Sequence, residues 1–247
     1  MGQCVQGAPV TSIDHNLYDL RYFYADDKGI GHSTCGIAFE SMMAILRTQD
    51  VAPFMENSWY KAVSKSGNPV VRGFLAEQIC LSTIATAGLM VVDRKLSRMT
   101  IASFEDEPDF SEFLSATNHK TRLYIPIRYN FQAVDGVILL LDRANKQATI
   151  FPIQFTLAKR HRQTEKDFYE MYWTTWIKPL VSAGFNIQST FVWIDNNQPS
   201  DHTVPQLVKA LRSGLKIIHP QFSVVHVSVE MVDPKLASHL AEFPEPM

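Results

Sequence analysis

Glu77, Asp135 and Gln154 carry oxygen donors at positions where the surrounding residues are apolar. Glu77 lies three residues after Phe74, four before Leu81 and seven before Ile84, so helical geometry puts it on the same face as those three. A carboxylate there is costly unless it is paired, protonated or bound to a cation. Asp135 stands in the opening of an apolar run, and Gln154 and Thr156 close the next one. Three oxygen donors meeting at one sheet end suit a hard divalent cation, Mg²⁺ or Mn²⁺. Such a cation activates water and stabilises charge building on a phosphodiester. Lys159, Arg160, His161 and Arg162 follow directly and would set positive charge at the mouth of that site, where a phosphate backbone could lie. Each residue also has a structural reading. Glu77 could pair with an internal arginine, Asp135 could end a strand, Gln154 could satisfy backbone groups, and the basic run could be a solvated turn.

The elements that must position these residues follow from periodicity. Residues 1–31 read as irregular, with a turn at Lys28-Gly29-Ile30-Gly31. Ser33 or Thr34 can cap a helix to about Arg47, and a second helix near Phe54–Lys65 ends at Ser66-Gly67-Asn68-Pro69. A third runs from about Val70 to Ala87 and stops at Gly88, with Gln78 and Ser82 on the side away from its apolar face. Strands are expected at Leu89–Val92, Met99–Phe104 and Arg122–Ile127, with a solvated acidic loop over Glu105–Glu112. Val134–Leu141 has apolar residues of both parities, as a central strand covered on both faces does.

Ala148–Phe155 is the next strand. A hairpin centred on Asn145 would set Asp135 opposite residue 155, with Gln154 diagonal to it at the same open end. A long helix from about Gln163 to Ala183 carries Phe168, Tyr172, Trp176 and Leu180 at steps of four, and Trp173 and Trp176 read as core. A strand at Gln188–Ile194, a polar loop at Asp195–Asp201, a helix near Val204–Ser213, a strand at Ser223–Val229 and a helix at Pro234–Ala241 complete the pattern.

Composition narrows the classes. The 247 residues are 46 % hydrophobic and 19 % charged, which excludes wholesale disorder. With 23 Lys and Arg against 25 Asp and Glu, the net charge is −2, so contact with nucleic acid would need a local basic patch. No apolar run approaches the roughly 20 residues of a membrane span. Met1–Val10 shows no secretory signal. Cys4, Cys35 and Cys80 form neither a CxxC pair nor a disulfide framework, and read as reduced thiols. His202, His219, His226 and His239 lack zinc-ligand spacing.

The order of helix with Glu, strand, strand opening with Asp, strand with Gln-x-Thr, helix and strand resembles the PD-(D/E)xK nuclease superfamily. Closer wording lies in Tyr18-Asp19-Leu20-Arg21-Tyr22-Phe23-Tyr24, Gly73-Phe74-Leu75-Ala76-Glu77-Gln78, Val134-Asp135-Gly136-Val137-Ile138-Leu139 and Phe151-Pro152-Ile153-Gln154-Phe155-Thr156. These segments look like the nuclease-like C-terminal portion of fungal Crinkler and retrotransposon-hot-spot proteins. The resemblance implies an α/β fold with a restriction-endonuclease-like αβββαβ core and a mixed sheet. Residues 1–69 would be a mainly helical extension and residues 70–247 the nuclease-like domain.

Carried over by position, Glu77, Asp135 and Gln154 would be catalytic and would hold the metal. Gln154 departs from the acidic residue many relatives have there, and a neutral amide is the weaker ligand. Thr156 stands where the catalytic lysine is expected, and threonine supplies no positive charge. Lys159 is the expected stand-in, with Lys166 a second candidate. No GxxxxGK(S/T) segment is present, so no ATP site of that kind is expected. The resemblance further implies an effector that acts on DNA inside host cells, in cytoplasm or nucleus, after secretion. The alternative is a catalytically inactive descendant that binds a host protein or nucleic acid.

Overall fold

The computed structural model describes residues 23–25, 31–33, 57–65, 69–91, 94–115, 121–127, 131, 133–157, 164–195 and 222–242. The chain divides into two compact units, residues 1–82 with 235–247, and residues 83–234.

In the first unit, β1 (Phe23–Ala25) and β2 (Gly31–Ser33) pair antiparallel where irregular chain was expected. The helix expected up to Arg47 lies outside the described residues. Helix α1 spans Asn57–Lys65. Helix α2 spans Pro69–Ala87, close to the expected span. Proline suits its first position, where the N–H would have no helical partner. Gly88, at φ 91°, ends it, and its N–H donates to Ile84 O at 2.9 Å. Gln78 and Ser82, expected on the outer side, are both buried. Ser82 Oγ instead donates to Gln78 O at 2.7 Å. A helix enclosed this fully has no single apolar stripe from which its outer side can be read.

The second unit begins with a small hairpin, β3 (Leu89–Val91) and β4 (Arg94–Leu96). The latter has no counterpart in the sequence reading, because Arg94 and Lys95 interrupt the apolar pattern. Next come β5 (Thr100–Phe104), α3 (Ser111–Ser115), β6 (Thr121–Pro126), β7 (Gly136–Asp142) and β8 (Gln147–Thr156). Glu105, Asp106 and Glu107 are solvated as expected, but the end of the acidic stretch enters α3. There Glu112 meets Arg122 at 3.0 Å. Helix α4 (Thr164–Asp167), a π-helical turn (Phe168–Tyr172) and α5 (Trp173–Ser182) follow. Strand β9 (Asn186–Asp195), β10 (Phe222–Ser228) and the short helix α6 (Val229–Val232) close the unit. The helix expected near Val204–Ser213 lies outside the described residues.

Six strands form one mixed sheet in the order β10-β9-β8-β7-β6-β5. Strands β8, β9 and β10 run parallel, β7 is antiparallel to both its neighbours, and β5 is parallel to β6. The protein is thus of mixed α/β class. On one sheet face Tyr124, Val137, Leu139, Ile150, Phe191 and Trp193 pack with Phe168, Trp173, Trp176 and Leu180. On the other, Ile138, Phe151, Ile153, Val192 and Ile194 are also buried, so the central strands are covered on both sides. Trp176 is the hub, with Phe104, Phe110 and Tyr124 at ring separations of 5.4, 5.5 and 5.5 Å. Such aromatic pairs contribute about 0.5–1.5 kcal/mol each beyond area burial.

The steps-of-four stripe holds only in part. Phe168, Trp176 and Leu180 are buried together with Trp173, whereas Tyr172 is half-buried. The π turn shifts the helix phase between Phe168 and Trp173.

In the first unit, the last helix, α7 (Pro234–Ala241), meets α1. Lys235 Nζ lies 3.9 Å from the Tyr60 ring centroid and also bonds Asn57 Oδ1.

Candidate functional site

The parallel strands β8, β9 and β10 all end at one edge of the sheet, and β7 begins there. In α/β sheets such carboxyl ends are where ligands bind, because the loops beyond them leave a crevice. Asp135 lies at this edge, one residue ahead of β7. Its N–H continues the ladder by donating to Ile153 O at 2.8 Å.

The hairpin pairs Gly136 with Ile153 and Asp142 with Gln147, one residue out from the register expected about Asn145. A four-residue turn, Arg143–Lys146, causes the slip, and Asp142 braces it by accepting from Asn145 N at 3.1 Å and Asn145 Nδ2 at 2.8 Å. Continuing the observed register sets Asp135 directly opposite Gln154, a closer relationship than the diagonal one anticipated.

The side chains meet as that register requires. Gln154 Nε2 donates to Asp135 Oδ2 at 2.8 Å, and the backbone N–H of Phe155 donates to the same oxygen at 2.7 Å. Asp135 is 9 % exposed, so these bonds hold a largely desolvated carboxylate. Two residues upstream, Ala133 has φ 83° and is itself buried. A left-handed backbone at a non-glycine residue costs about 1–2 kcal/mol. Backbone held in this way just before a hydrogen-bonded carboxylate is a pattern found at functional sites.

The same edge carries groups that the sequence reading did not assign to it. Asp195 ends β9 in register with Thr156, and it is 3 % exposed. Its Oδ2 lies 2.9 Å from His226 Nδ1 on β10, whose side chain is about half exposed. An ionised carboxylate only accepts, so Nδ1 carries the proton of that bond. Trp193, the register partner of both Gln154 and His226, donates from Nε1 to Glu165 Oε1 at 2.7 Å. The rings of Trp193 and His226 are nearly parallel, 12° apart at 6.4 Å. Strand alternation therefore sets Asp135, Gln154, Trp193 and His226 in one row on one face. Thr156, Asp195 and Ser228 make the next row. The available signals were an aspartate directly after the apolar run Phe191–Ile194 and a histidine between Val225 and Val227.

Of the expected site residues, Asp135 and Gln154 are brought together. Glu77 lies on α2 in the other unit, half-buried, and accepts from Gln78 Nε2 at 3.0 Å. Lys159, Arg160, His161 and Arg162 lie outside the described residues. Lys166 is on α4, 3.6 Å from Glu170. Among the described residues no three His, Cys, Asp or Glu side chains are grouped to hold a metal ion.

The donor chemistry at Asp135 still suits a hard cation. Mg²⁺ is commonly held by only one or two protein carboxylates, with substrate phosphates and water completing its shell. Gln154 bonds Asp135 through its nitrogen, so its carbonyl oxygen is the atom it could offer to such an ion. The two N–H donors on Oδ2 would fix the carboxylate's orientation, as outer hydrogen bonds do around metal ligands.

Among the described residues no helix is long and apolar enough to cross a membrane. Comparison with protein-family models, curated proteins and solved structures found no match.

Proposed function

We propose that the chain is a Crinkler-like effector whose second unit is a restriction-endonuclease-like, Mg²⁺-dependent nuclease acting on DNA. The observation that carries this reading is the Asp135–Gln154 pair, 2.8 Å apart at the open edge of the sheet. The strand order supports it. Three successive antiparallel strands, β6 to β8, are followed by a helix and by β9 parallel to β8.

In this reading Asp135 and Gln154 hold Mg²⁺ or Mn²⁺ by oxygen, with water and substrate phosphate completing its shell, and no nucleotide cofactor is needed. The cation would supply charge to stabilise the phosphodiester as water adds to phosphorus and one ester P–O bond breaks. The water's proton leaves to solvent or a nearby base, and the departing oxygen gains one. Phe155 N–H and Gln154 keep the Asp135 carboxylate aimed. The run Lys159, Arg160, His161 and Arg162 contacts the DNA backbone, with Lys159 as the catalytic cation.

A plasmid-nicking assay tests this. Wild type nicks supercoiled DNA with Mg²⁺ or Mn²⁺ and stops with EDTA, while Asp135→Ala is inert. Equal behaviour of wild type and Asp135→Ala refutes the proposal.

One observation favours a second reading. Thr156, two residues beyond Gln154, is where the lysine of such sites stands. The chain would then be an inactive nuclease-fold effector that binds DNA or a host protein in cytoplasm or nucleus. It would show DNA or protein capture without nicking.

A further inference from the structure

The edge that holds Asp135 also gathers Asp195 and Glu165, a concentration of carboxylates that repels a phosphodiester unless positive charge faces it. Lysine at position 156 would supply that charge, but threonine stands there. The strand beside Thr156 presents Asp195 in direct register, and Asp195 holds His226 by Nδ1 at 2.9 Å. Among the described residues at the ends of β8, β9 and β10, His226 is the basic side chain.

Three features suit this imidazole to phosphate contact. The carboxylate behind it is buried while the ring is about half exposed, so the orienting group faces protein and the ring faces solvent. An aspartate on one ring nitrogen fixes the ring's tautomer and orientation. Trp193, bonded to Glu165 by Nε1, lies beside the ring on the preceding strand and restricts its movement. Adjacent strands are about 4.8 Å apart, which sets the His226 backbone about 10 Å from Gln154 along the row. That span fits a polynucleotide backbone lying across the edge.

We infer that His226, positioned by Asp195, contacts the DNA phosphate at this edge and supplies the positive charge that Thr156 does not. The inference rests on the nuclease reading, and it adds His226 as a second positive contact beside Lys159. Asp195 acts through His226 and is a positioning residue.

The test pairs binding with cleavage. Binding of a fluorescent DNA duplex is measured in EDTA, in mildly acidic buffer, across a salt series. His226→Ala and His226→Gln weaken binding and lower the slope of log affinity against log salt by about one, the signature of one lost phosphate contact. His226→Lys retains the slope. In the nicking assay His226→Ala loses about a hundredfold in rate, the usual effect of removing one transition-state donor. Adding Thr156→Lys to His226→Ala restores nicking, which a merely structural defect would not allow. Wild-type slope and rate in His226→Ala and His226→Gln, with Asp135→Ala inert, overturn the inference and leave the nuclease reading standing. Absence of nicking by wild type removes the nuclease reading, and this inference falls with it.

Discussion

Gln154 and Asp135 share a hydrogen bond of 2.8 Å across the open end of the β7–β8 pair, and the Phe155 N–H reaches the same carboxylate oxygen at 2.7 Å. The carboxylate therefore does structural work for β8 besides any chemistry. Asp135→Ala leaves the buried Phe155 N–H without that acceptor, a loss of about 2 kcal/mol by the usual cost of an unmet buried group. Asp135→Asn keeps a carbonyl oxygen and loses about half as much. Urea titration of the two variants beside wild type measures both values. Equal stability of wild type and Asp135→Ala contradicts the geometry.

Gly88 makes a sharper claim. Its φ is 91°, and a Cβ at this position would lie only 2.0 Å from Leu96 O, which leaves no room for a side chain. Gly88→Ala destabilises by more than about 2 kcal/mol, because left-handed backbone and backbone collision add. Gly184, at φ 81° with nothing within 4 Å of its Cβ position, bears only the conformational cost. Gly184→Ala loses about 1 kcal/mol. Melting temperatures of the pair give the order directly.

The Glu165–Trp193 bond ties α4 to the sheet edge. Glu165→Ala removes the acceptor of the 2.7 Å Trp193 indole bond and costs about 1–2 kcal/mol, whereas Glu165→Gln retains an acceptor and costs less. Tryptophan fluorescence reports the local change, and thermal melts report the energy.

Alkaline pH bears on the core. Burial pushes the Tyr124 phenol up to about 12, with Arg122 offsetting part of the effect, and burial also raises Tyr169. A folded-state value above the unfolded one, near 10, means the native chain keeps its proton after the unfolded chain has lost it. The contribution of Tyr124 is therefore complete below about pH 10 and is lost as pH rises to about 12. Tyr124→Phe flattens this decline, measured by denaturant midpoints across that range.

Much of the architecture was legible where local pattern decides it. The apolar runs around Ile138, Ile150 and Val192 marked strands, and the first of them a central one, because side-chain burial alternates or saturates along a strand whatever lies beyond it. Gly88 and Gly184 marked helix ends, since both sit at positive φ. Other features have no local signature. The π turn at Phe168–Tyr172 depends on packing, and Arg94–Leu96, although a short turn joins it to Leu89–Val91, has no apolar run to mark it as a strand.

Taken alone, the sequence determined that Asp135 and Gln154 stand at the same end of adjacent strands, because a short turn leaves little choice in which residues meet. Only the tertiary structure decided that they face each other directly, and that Asp195 and His226 join the same edge. Those last two come from strands whose parallel pairing closes through long connections. Register across such connections is set by the whole packed sheet, and no local spacing encodes it.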